Sequence, residues 1–418
     1  MSSRSTGSAT DSGGGGGLSR RRFVGVLAAT SAVAVVPATA GAAAPVTAPS
    51  PGAPSVPVAT PAPTPTPAAL RAATRRLFLG TYTSSPGGGT GVGLATYDSA
   101  TGSITGTGTL LGVADPSYLA IHPDGRTLFA VDEQQAGKVT AIGLADDGRH
   151  TVLGSRSTGG AGPAHLSVHP SGQWLLTANY TSGSVAVLPI QASGALGERT
   201  ALVTHSTPPP GPGQGGPHAH QIVTSPDGGH VLAVDLGNDT VYTYRLDVAT
   251  GALTRVSYAR LRPGAGPRHL TFHPSGAFAY LANELDNTVV VCAYDPATGQ
   301  LTPGEPQSTG TTGNTRSYPA ELAVTDNGAF AYLANRGHNS LARYAIEADG
   351  AELRLLDTVP VGGDYPRQIA LSPGGELLFA ANQRSNSVTV FDVDQVTGEL
   401  RSAGAPFTAP VAVCVLPL

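Results

Sequence analysis

Residues 216–235 read Gly-Pro-His-Ala-His-Gln-Ile-Val-Thr-Ser-Pro-Asp-Gly-Gly-His-Val-Leu-Ala-Val-Asp. A strand-like run leads into a Pro-Asp-Gly turn, and a second apolar run then ends on an acidic residue. This order predicts a β-hairpin, because Pro, Asp and Gly favour tight turns and the flanking runs favour strands. Two histidines, His218 and His220, stand at the entrance of the first strand.

The same hairpin recurs along the chain. With Pro226 as the anchor of this copy, the six anchors are spaced by 47, 56, 48, 52 and 47 residues and stand at Pro123, Pro170, Pro226, Pro274, Asp326 and Pro373. Nine residues after each anchor stands a short Asp or Asn side chain, which we interpret as a hairpin cap. A period of this length is typical of four-stranded propeller blades.

A seventh unit is split between the two ends of the chain. Leu77–Tyr82 resembles the second strand of a blade, and residues 409–415 supply the missing first strand. Joining them in one sheet removes the last open sheet edges. The sequence therefore predicts an all-β fold over residues 76–418, a seven-bladed β-propeller with four-stranded blades, closed by N- and C-terminal strands sharing one blade.

The residues before this region predict export. Residues 1–40 resemble a twin-arginine signal, with Arg20-Arg21-Arg22 before a short apolar segment and Ala38-Thr39-Ala40 as a cleavage site. A short membrane anchor is the alternative. Residues 41–75 are mostly Ala, Pro and Thr and predict a disordered linker. The expected location is extracellular or in the cell envelope, reached by the twin-arginine route.

Composition limits the possible partners. A formal charge of −4 over 418 residues offers no basic field for nucleic acid. We expect no membrane partner after signal cleavage, and a monomer. The two cysteines, Cys292 and Cys414, lie in separate alternating runs and are interpreted as separate buried thiols.

Repeat geometry predicts where function lies. In a propeller the first strand of each blade lines a central channel, and we expect the residues six before and nine after each anchor to pair at one mouth of it. Charged and imidazole side chains concentrate at and next to these positions, namely His220, His269, Arg268, Glu284, Glu321, Arg336 and Arg367. In a chain with only 12% charged residues, this concentration indicates a functional pocket.

Three stretches carry a family resemblance: residues 216–239, residues 266–285 and residues 334–340. They are similar to the lactonase family of seven-bladed propellers, which includes propeller-type 6-phosphogluconolactonases and carboxy-cis,cis-muconate cyclases. The resemblance covers residues 77–418 and implies cofactor-independent chemistry on a small-molecule lactone. The export signal departs from the family pattern, because a phosphorylated sugar lactone is a cytoplasmic metabolite.

The resemblance implies roles for individual residues. The catalytic set is His220, Arg268, Glu284 and Arg336, and the predicted substrate-binding set is His218, His269, Glu321 and Arg367. An imidazole with an ordinary pKa of about 6.5 suits a general base, so His220 is preferred, with His218 as the alternative. The two arginines of the catalytic set would stabilise an oxyanion or hold a carboxylate. Glu284 would orient Arg268 or the histidine, and Glu321 would orient Arg336.

Other interpretations stay open. The protein is either a lactonase, acting in the hydrolytic or lactone-forming direction, or a catalytically silent propeller that binds a carbohydrate or a protein at the same mouth. No metal is predicted, because His218-x-His220 lacks further ligands at suitable spacing. Histidines that directly precede an anchor, His122, His169 and His273, are interpreted as scaffold. His165 and His269 also recur at one repeat position, which favours a scaffold role.

Overall fold

The computed structural model describes residues 74–206, 214–313 and 315–418. The predicted signal (1–40) and nearly all of the predicted linker (41–75) lie outside the described residues. The first strand begins at Thr74, two residues before the predicted start of the propeller at 76. Within the described ranges there is no helix of sufficient length and apolarity to cross a bilayer.

Seven antiparallel sheets form the described chain, which confirms the all-β, seven-bladed prediction. Blade 1 contains β1 (Thr74–Thr81), β2 (Gly91–Asp98) and β3 (Ile104–Leu111). Blade 2 contains β4 (Leu119–Ile121), β5 (Thr127–Asp132), β6 (Lys138–Leu144) and β7 (His150–Ser157). Blade 3 contains β8 (Pro163–Val168), β9 (Trp174–Asn179), β10 (Ser184–Pro189) and β11 (Ala201–Thr204). Blade 4 contains β12 (Ala219–Thr224), β13 (Val231–Asp235), β14 (Thr240–Leu246) and β15 (Leu253–Arg260).

The remaining blades repeat this order. Blade 5 contains β16 (Pro267–Phe272), β17 (Phe278–Asn283), β18 (Thr288–Asp295) and β19 (Gln300–Ser308). Blade 6 contains β20 (Tyr318–Val324), β21 (Phe330–Arg336), β22 (Ser340–Glu347) and β23 (Glu352–Pro360). Blade 7 contains β24 (Pro366–Leu371), β25 (Leu377–Asn382), β26 (Ser387–Val393), β27 (Leu400–Ser402) and β28 (Phe407–Thr408). Two 3₁₀ turns occur in the described chain, at Leu236–Asn238 and Ala348–Gly350.

The last strand, β29 (Ala412–Pro417), closes the ring. It pairs antiparallel with β1, with Leu77 opposite Pro417 and Leu79 opposite Val415, and is the innermost strand of blade 1. The predicted sharing of one blade by the two terminal strands is confirmed.

The apolar core is divided among the blade interfaces. Seven buried clusters each join two neighbouring blades; between blades 4 and 5, for example, Leu232 and Val234 pack with Leu270 and Leu281. Burying one such side chain contributes about 1.5–3 kcal/mol. Each blade is therefore held by both of its neighbours. Cys292 and Cys414 are buried free thiols in different blades, as predicted.

The histidines before the anchors link successive blades. In each case the ring Nε2 lies within hydrogen-bond distance of the carbonyl oxygen of the turn glycine of the next blade: 2.9 Å from His122 to Gly172, 3.3 Å from His169 to Gly228 and 3.2 Å from His273 to Gly328. These contacts confirm the scaffold interpretation.

The predicted register at the channel mouth is wrong by one residue. The residue seven before the anchor, not six, pairs with the Asp or Asn nine after it, as in Ala219 opposite Asp235 and Pro267 opposite Asn283. The intervening residue is the extra residue of a β-bulge, which takes its side chain out of the ladder. His220 in blade 4 and Arg268 in blade 5 occupy such bulges. The symmetric count failed because it assumed an unbroken ladder.

Candidate active site

One carboxylate joins two arginines at the channel mouth. Oε2 of Glu284, the residue after β17, lies 2.6 Å from Nη2 of Arg336 and 3.2 Å from Nε of Arg268. Arg336 is the last residue of β21 and also donates from Nε and Nη2 to the carbonyl oxygens of Tyr318 and Pro319. The two arginine side chains are 3% exposed and that of Glu284 is 18% exposed. Blades 5 and 6 thereby bring together three of the four predicted catalytic residues.

The local charges keep Glu284 ionised. Burial alone raises the pKa of its carboxyl, but Arg336 and Arg268 outweigh burial and lower the pKa below its ordinary value. Burial, together with Arg336 and Arg367, lowers the pKa of Arg268 to about 9. At neutral pH both side chains remain charged.

The donors of Arg268 are incompletely used. Among the described residues, Nε and Nη1 of this buried guanidinium have no hydrogen-bond partner, although Nε faces Glu284 at ion-pair distance. Leaving a buried charged donor unsatisfied costs more than about 1–3 kcal/mol, so such groups mark places where a ligand or water binds. Arg268 is therefore prepared to donate to an anionic oxygen.

Arg367 reaches the mouth from β24 of blade 7. Its Nη2 donates to the hydroxyl of Tyr82 at 2.9 Å, and Tyr82 in turn donates to Oε2 of Glu133 at 2.9 Å. Ser117 donates to the same oxygen of Glu133. Burial raises the pKa of Glu133 despite the nearby Arg367. Blades 7, 1 and 2 are joined by this set.

His220 lies at the end of a buried hydrogen-bonded line. Its Nδ1 is 3.2 Å from Nε2 of His269, and Nδ1 of His269 is 2.7 Å from Oε2 of Glu321. Burial and the neighbouring Arg268 lower the pKa of His220 well below its ordinary value, so the ring is neutral at pH 7. Glu321 was expected to orient Arg336, and this expectation is wrong. From its position in β20 its side chain points back towards blade 5, where it contacts His269.

His218 is held against the wall of the mouth. Its backbone N–H donates to Oδ1 of Asp235 at 2.8 Å, and its ring stacks on Tyr180 with 4.5 Å between centroids. Nδ1 lies 3.0 Å from the carbonyl oxygen of Tyr180. The ring of His220 meets the same tyrosine edge-on at 5.5 Å. Only His220 joins the line to His269, which favours it over His218 as a base.

Sequence reasoning missed two tyrosines of the mouth. Tyr82 directly follows β1, the position that Glu284 and Arg336 occupy after their own anchors, but the split of blade 1 hid this equivalence. Tyr365 has a φ of 65°, which is rare for a bulky residue, and its ring lies 5.5 Å from Arg336. The exposed Arg384 stacks on the same ring at 3.7 Å. Positive charge therefore extends from the channel to its rim.

No group of three or more His, Cys, Asp or Glu side chains suited to a metal ion occurs in the part of the chain that the structure describes. The prediction that the chemistry needs no cofactor stays a prediction.

Fold and site together define a class: a closed seven-bladed propeller with a cluster of buried charged side chains from several blades at one channel mouth. Residues 76–417 match the model described as Lactonase, 7-bladed beta-propeller. The chain belongs to this family.

Named relatives agree with this assignment. The chain is 33% identical to the 6-phosphogluconolactonase of Bacillus subtilis (strain 168) over 341 residues, covering 81% of this chain and 97% of that protein. Among solved structures, the periplasmic gluconolactonase of Pseudomonas aeruginosa superposes with a TM-score of 0.78 at 31% identity, covering 83% of this chain and 99% of the other. The crystal structure of a candidate 6-phosphogluconolactonase from Bacteroides fragilis superposes with a TM-score of 0.76 at 28% identity, covering 82% of this chain and 98% of the other.

Proposed function

We propose that the protein is an exported lactonase that hydrolyses a small, negatively charged sugar-acid or hydroxy-acid lactone without a cofactor. The observation that carries this proposal is the buried guanidinium of Arg268, whose Nε and Nη1 have no hydrogen-bond partner in the described part of the chain, near a neutral imidazole, His220. Ester hydrolysis needs a base for water and donors for the oxyanion of the tetrahedral intermediate. Both groups are present at one mouth.

The roles follow from the geometry. His220 removes a proton from water, which attacks the lactone carbonyl carbon. Arg268 donates to the developing oxyanion, a contribution typically worth about 3–4 kcal/mol. Glu284 fixes Arg268 and Arg336 by contacting both, so that neither guanidinium reorganises during the reaction. The ring oxygen leaves as an alkoxide and takes a proton from the base, which opens the lactone to a hydroxy acid.

Charge favours an anionic substrate. Three arginines, Arg268, Arg336 and Arg367, face the mouth. Of the three carboxyl groups there, only Glu284 has a lowered pKa and so favours its negative charge. Burial raises the pKa of Glu133 and of Glu321, which disfavours their negative charges. The net positive field in a poorly solvated pocket attracts a carboxylate or phosphate. Arg336 of blade 6 and Arg367 of blade 7 would hold this group away from the reacting carbonyl.

The location is supported by the twin-arginine pattern in residues 1–40 and by a relative named as periplasmic. A simple aldonic-acid lactone carries no charge, so the anionic group would be a phosphate or a second carboxylate, as in a muconate lactone. An exported enzyme would meet the carboxylate-bearing lactones more readily than phosphorylated ones.

Lactone opening by the purified chain tests the proposal. D-Glucono-δ-lactone, its 6-phosphate, aldonic-acid lactones and muconate lactones are followed by acid release, with His220→Ala and Arg268→Gln in parallel. We expect one class to be opened well above the buffer rate, with loss of activity in both variants. If no lactone is opened, or if His220→Ala equals the parent, the mouth is a binding site and the enzymatic proposal is wrong.

A further inference from the structure

Three buried side chains from blades 4, 5 and 6 form one hydrogen-bonded line. Nδ1 of His220 faces Nε2 of His269 at 3.2 Å, and Nδ1 of His269 faces Oε2 of Glu321 at 2.7 Å. We propose that His269 and Glu321 are positioning residues that draw a proton through His220, with Glu321 as its final acceptor. This inference rests on the lactonase function proposed above and reassigns two residues that the sequence placed in substrate binding.

The hydrogen bonds fix the state of His220. A neutral imidazole carries one N–H. When Glu321 is ionised, His269 donates to it from Nδ1, and its Nε2 must then accept from Nδ1 of His220. Nε2 of His220 is left with a lone pair, and it has no hydrogen-bond partner among the described residues. It is therefore the atom that accepts a proton from water.

A histidine acting alone would be a poor base at this position. Arg268, Arg336 and Arg367 all oppose a positive charge on His220, in addition to burial. A second transfer avoids that charge. The water proton moves to Nε2 of His220 as the Nδ1 proton moves to Nε2 of His269, and the Nδ1 proton of His269 moves to Oε2 of Glu321.

Charge and atoms balance in this sequence. Both imidazoles begin and end neutral, and the carboxylate becomes a carboxylic acid while hydroxide adds to the lactone carbonyl. The reverse transfers return the proton to the leaving ring oxygen. The product hydroxy acid then releases its carboxyl proton to solvent.

The surroundings suit Glu321 as the acceptor. Burial raises the pKa of its carboxyl to about 7, against the opposing effects of Arg268, His165 and the hydroxyl of Tyr118. The buried thiol of Cys414 lies close enough to Glu321 for the two groups to interact electrostatically. An acceptor with a pKa near the working pH is the most effective partner in proton transfer.

The rings around the line fix its geometry. His269 is 1% exposed and is enclosed by His165 at 5.3 Å, His220 at 5.0 Å and Tyr118 at 6.0 Å between ring centroids. Tyr180 covers the other side of His220. Among the charged groups near His269, the carboxylate of Glu284 favours a protonated ring, whereas burial and Arg268, Arg336 and Arg367 disfavour it and lower the pKa of His269.

The chain contains a matched control. His269 and His273 lie on and directly after the same strand, β16, and both bridge to blade 6, the first through Glu321 and the second through the carbonyl oxygen of Gly328. Only His269 leads to His220. A merely structural role would make their substitutions equivalent.

The first test reads protonation directly and needs no substrate. In ¹⁵N-histidine NMR of the full chain, we expect the proton of His220 to move from Nε2 to Nδ1 as pH rises from 5.5 to 8.5, because Glu321 ionises in this window. Glu321→Gln should remove the switch and His273→Gln should keep it. A His220 tautomer that is the same at both pH values in the parent overturns the inference, whatever the enzyme hydrolyses.

The second test uses a lactone that the parent opens. We expect Glu321→Gln and His269→Gln to lower kcat by on the order of 10²-fold while KM changes by less than about threefold, and the acid limb of the pH profile near 7 to disappear. His273→Gln should retain kcat and that limb. An unchanged acid limb in Glu321→Gln, or an equal loss in His273→Gln, refutes the relay while leaving lactonase activity established.

Discussion

Replacement of Glu284 by glutamine should destabilise the protein more than replacement of any exposed ion-pair partner. The side chain keeps its shape but loses the charge that lies between Arg336 at 2.6 Å and Arg268 at 3.2 Å. Each such attraction is worth about 4 kcal/mol for charges about 4 Å apart at an effective dielectric constant near 20, before desolvation is subtracted. Removing one partner of a buried pair costs about 3–5 kcal/mol.

Partial exposure places the expected loss in the lower half of that range. Because the side chain of Glu284 is 18% exposed, water partly compensates the two arginines. For the 342 residues from 76 to 417, an unfolding entropy of roughly 2.1 cal/mol/K per residue converts 1 kcal/mol into about 1.4 °C. A loss of about 3–4 kcal/mol should therefore lower the melting temperature by about 4–6 °C.

Differential scanning calorimetry of the parent, Glu284→Gln and Asp357→Asn measures this change in melting temperature. The control is Asp357→Asn, which removes the partner of Arg343 at 2.5 Å on the outer strands, where the Asp357 side chain is 48% exposed. We expect that control to lose no more than about 1 kcal/mol. The lowered pKa of Glu284 means that its contribution is complete above its unfolded value of 4.5 and fades as pH falls, so the difference should shrink in acid. Equal shifts in both variants at pH 7 would refute the reasoning.

Three further outcomes are expected. His220→Ala should lower kcat/KM by on the order of 10²–10⁴-fold while the circular dichroism spectrum stays that of the folded parent, measured by lactone hydrolysis and circular dichroism. Glu321→Gln should stabilise the fold at pH 8 by about 1–3 kcal/mol in denaturant titrations, but not at pH 4.5. The pKa of Glu321 is 4.5 in the unfolded chain and about 7 in the folded protein, so ionising this carboxyl lowers the stability of the fold as pH rises between these values. Equal gains at both pH values would contradict this. Deletion of residues 412–418 removes β29 and its five buried residues, and should abolish the soluble monomer in size-exclusion chromatography.

Much of the fold was predictable because repetition multiplies a weak signal. One Pro-Asp-Gly turn at Pro226 indicates only a hairpin, but six copies at nearly constant spacing define blades. The split blade was predictable because Leu77–Tyr82 matched a second strand without a first. Each of these inferences depends on local turn chemistry and alternation, which are written in neighbouring residues.

The pocket was predictable only in composition. Arg268, Glu284 and Arg336 were placed at one mouth by counting from their anchors, and the structure brings them into contact. Counting residues from the anchor could not reveal the bulges. The count gives the position of a residue in the sequence, and a bulge changes only the residue with which it pairs. The partner of Glu321 was also beyond reach, since it depends on the angle between blades 5 and 6.

The bulges have a consequence for the history of the chain. Because the side chain of each bulge residue stands outside the backbone pairing, His220 or Arg268 can be exchanged with little penalty to the strands that carry it. Blade 3 has the same bulge with a small residue, Ala164, at the equivalent place. Substitutions that alter reactivity can therefore occur at the bulge residues without disturbing the strand pairing of the ring. A propeller of this kind offers several such positions at which a new substrate preference can evolve.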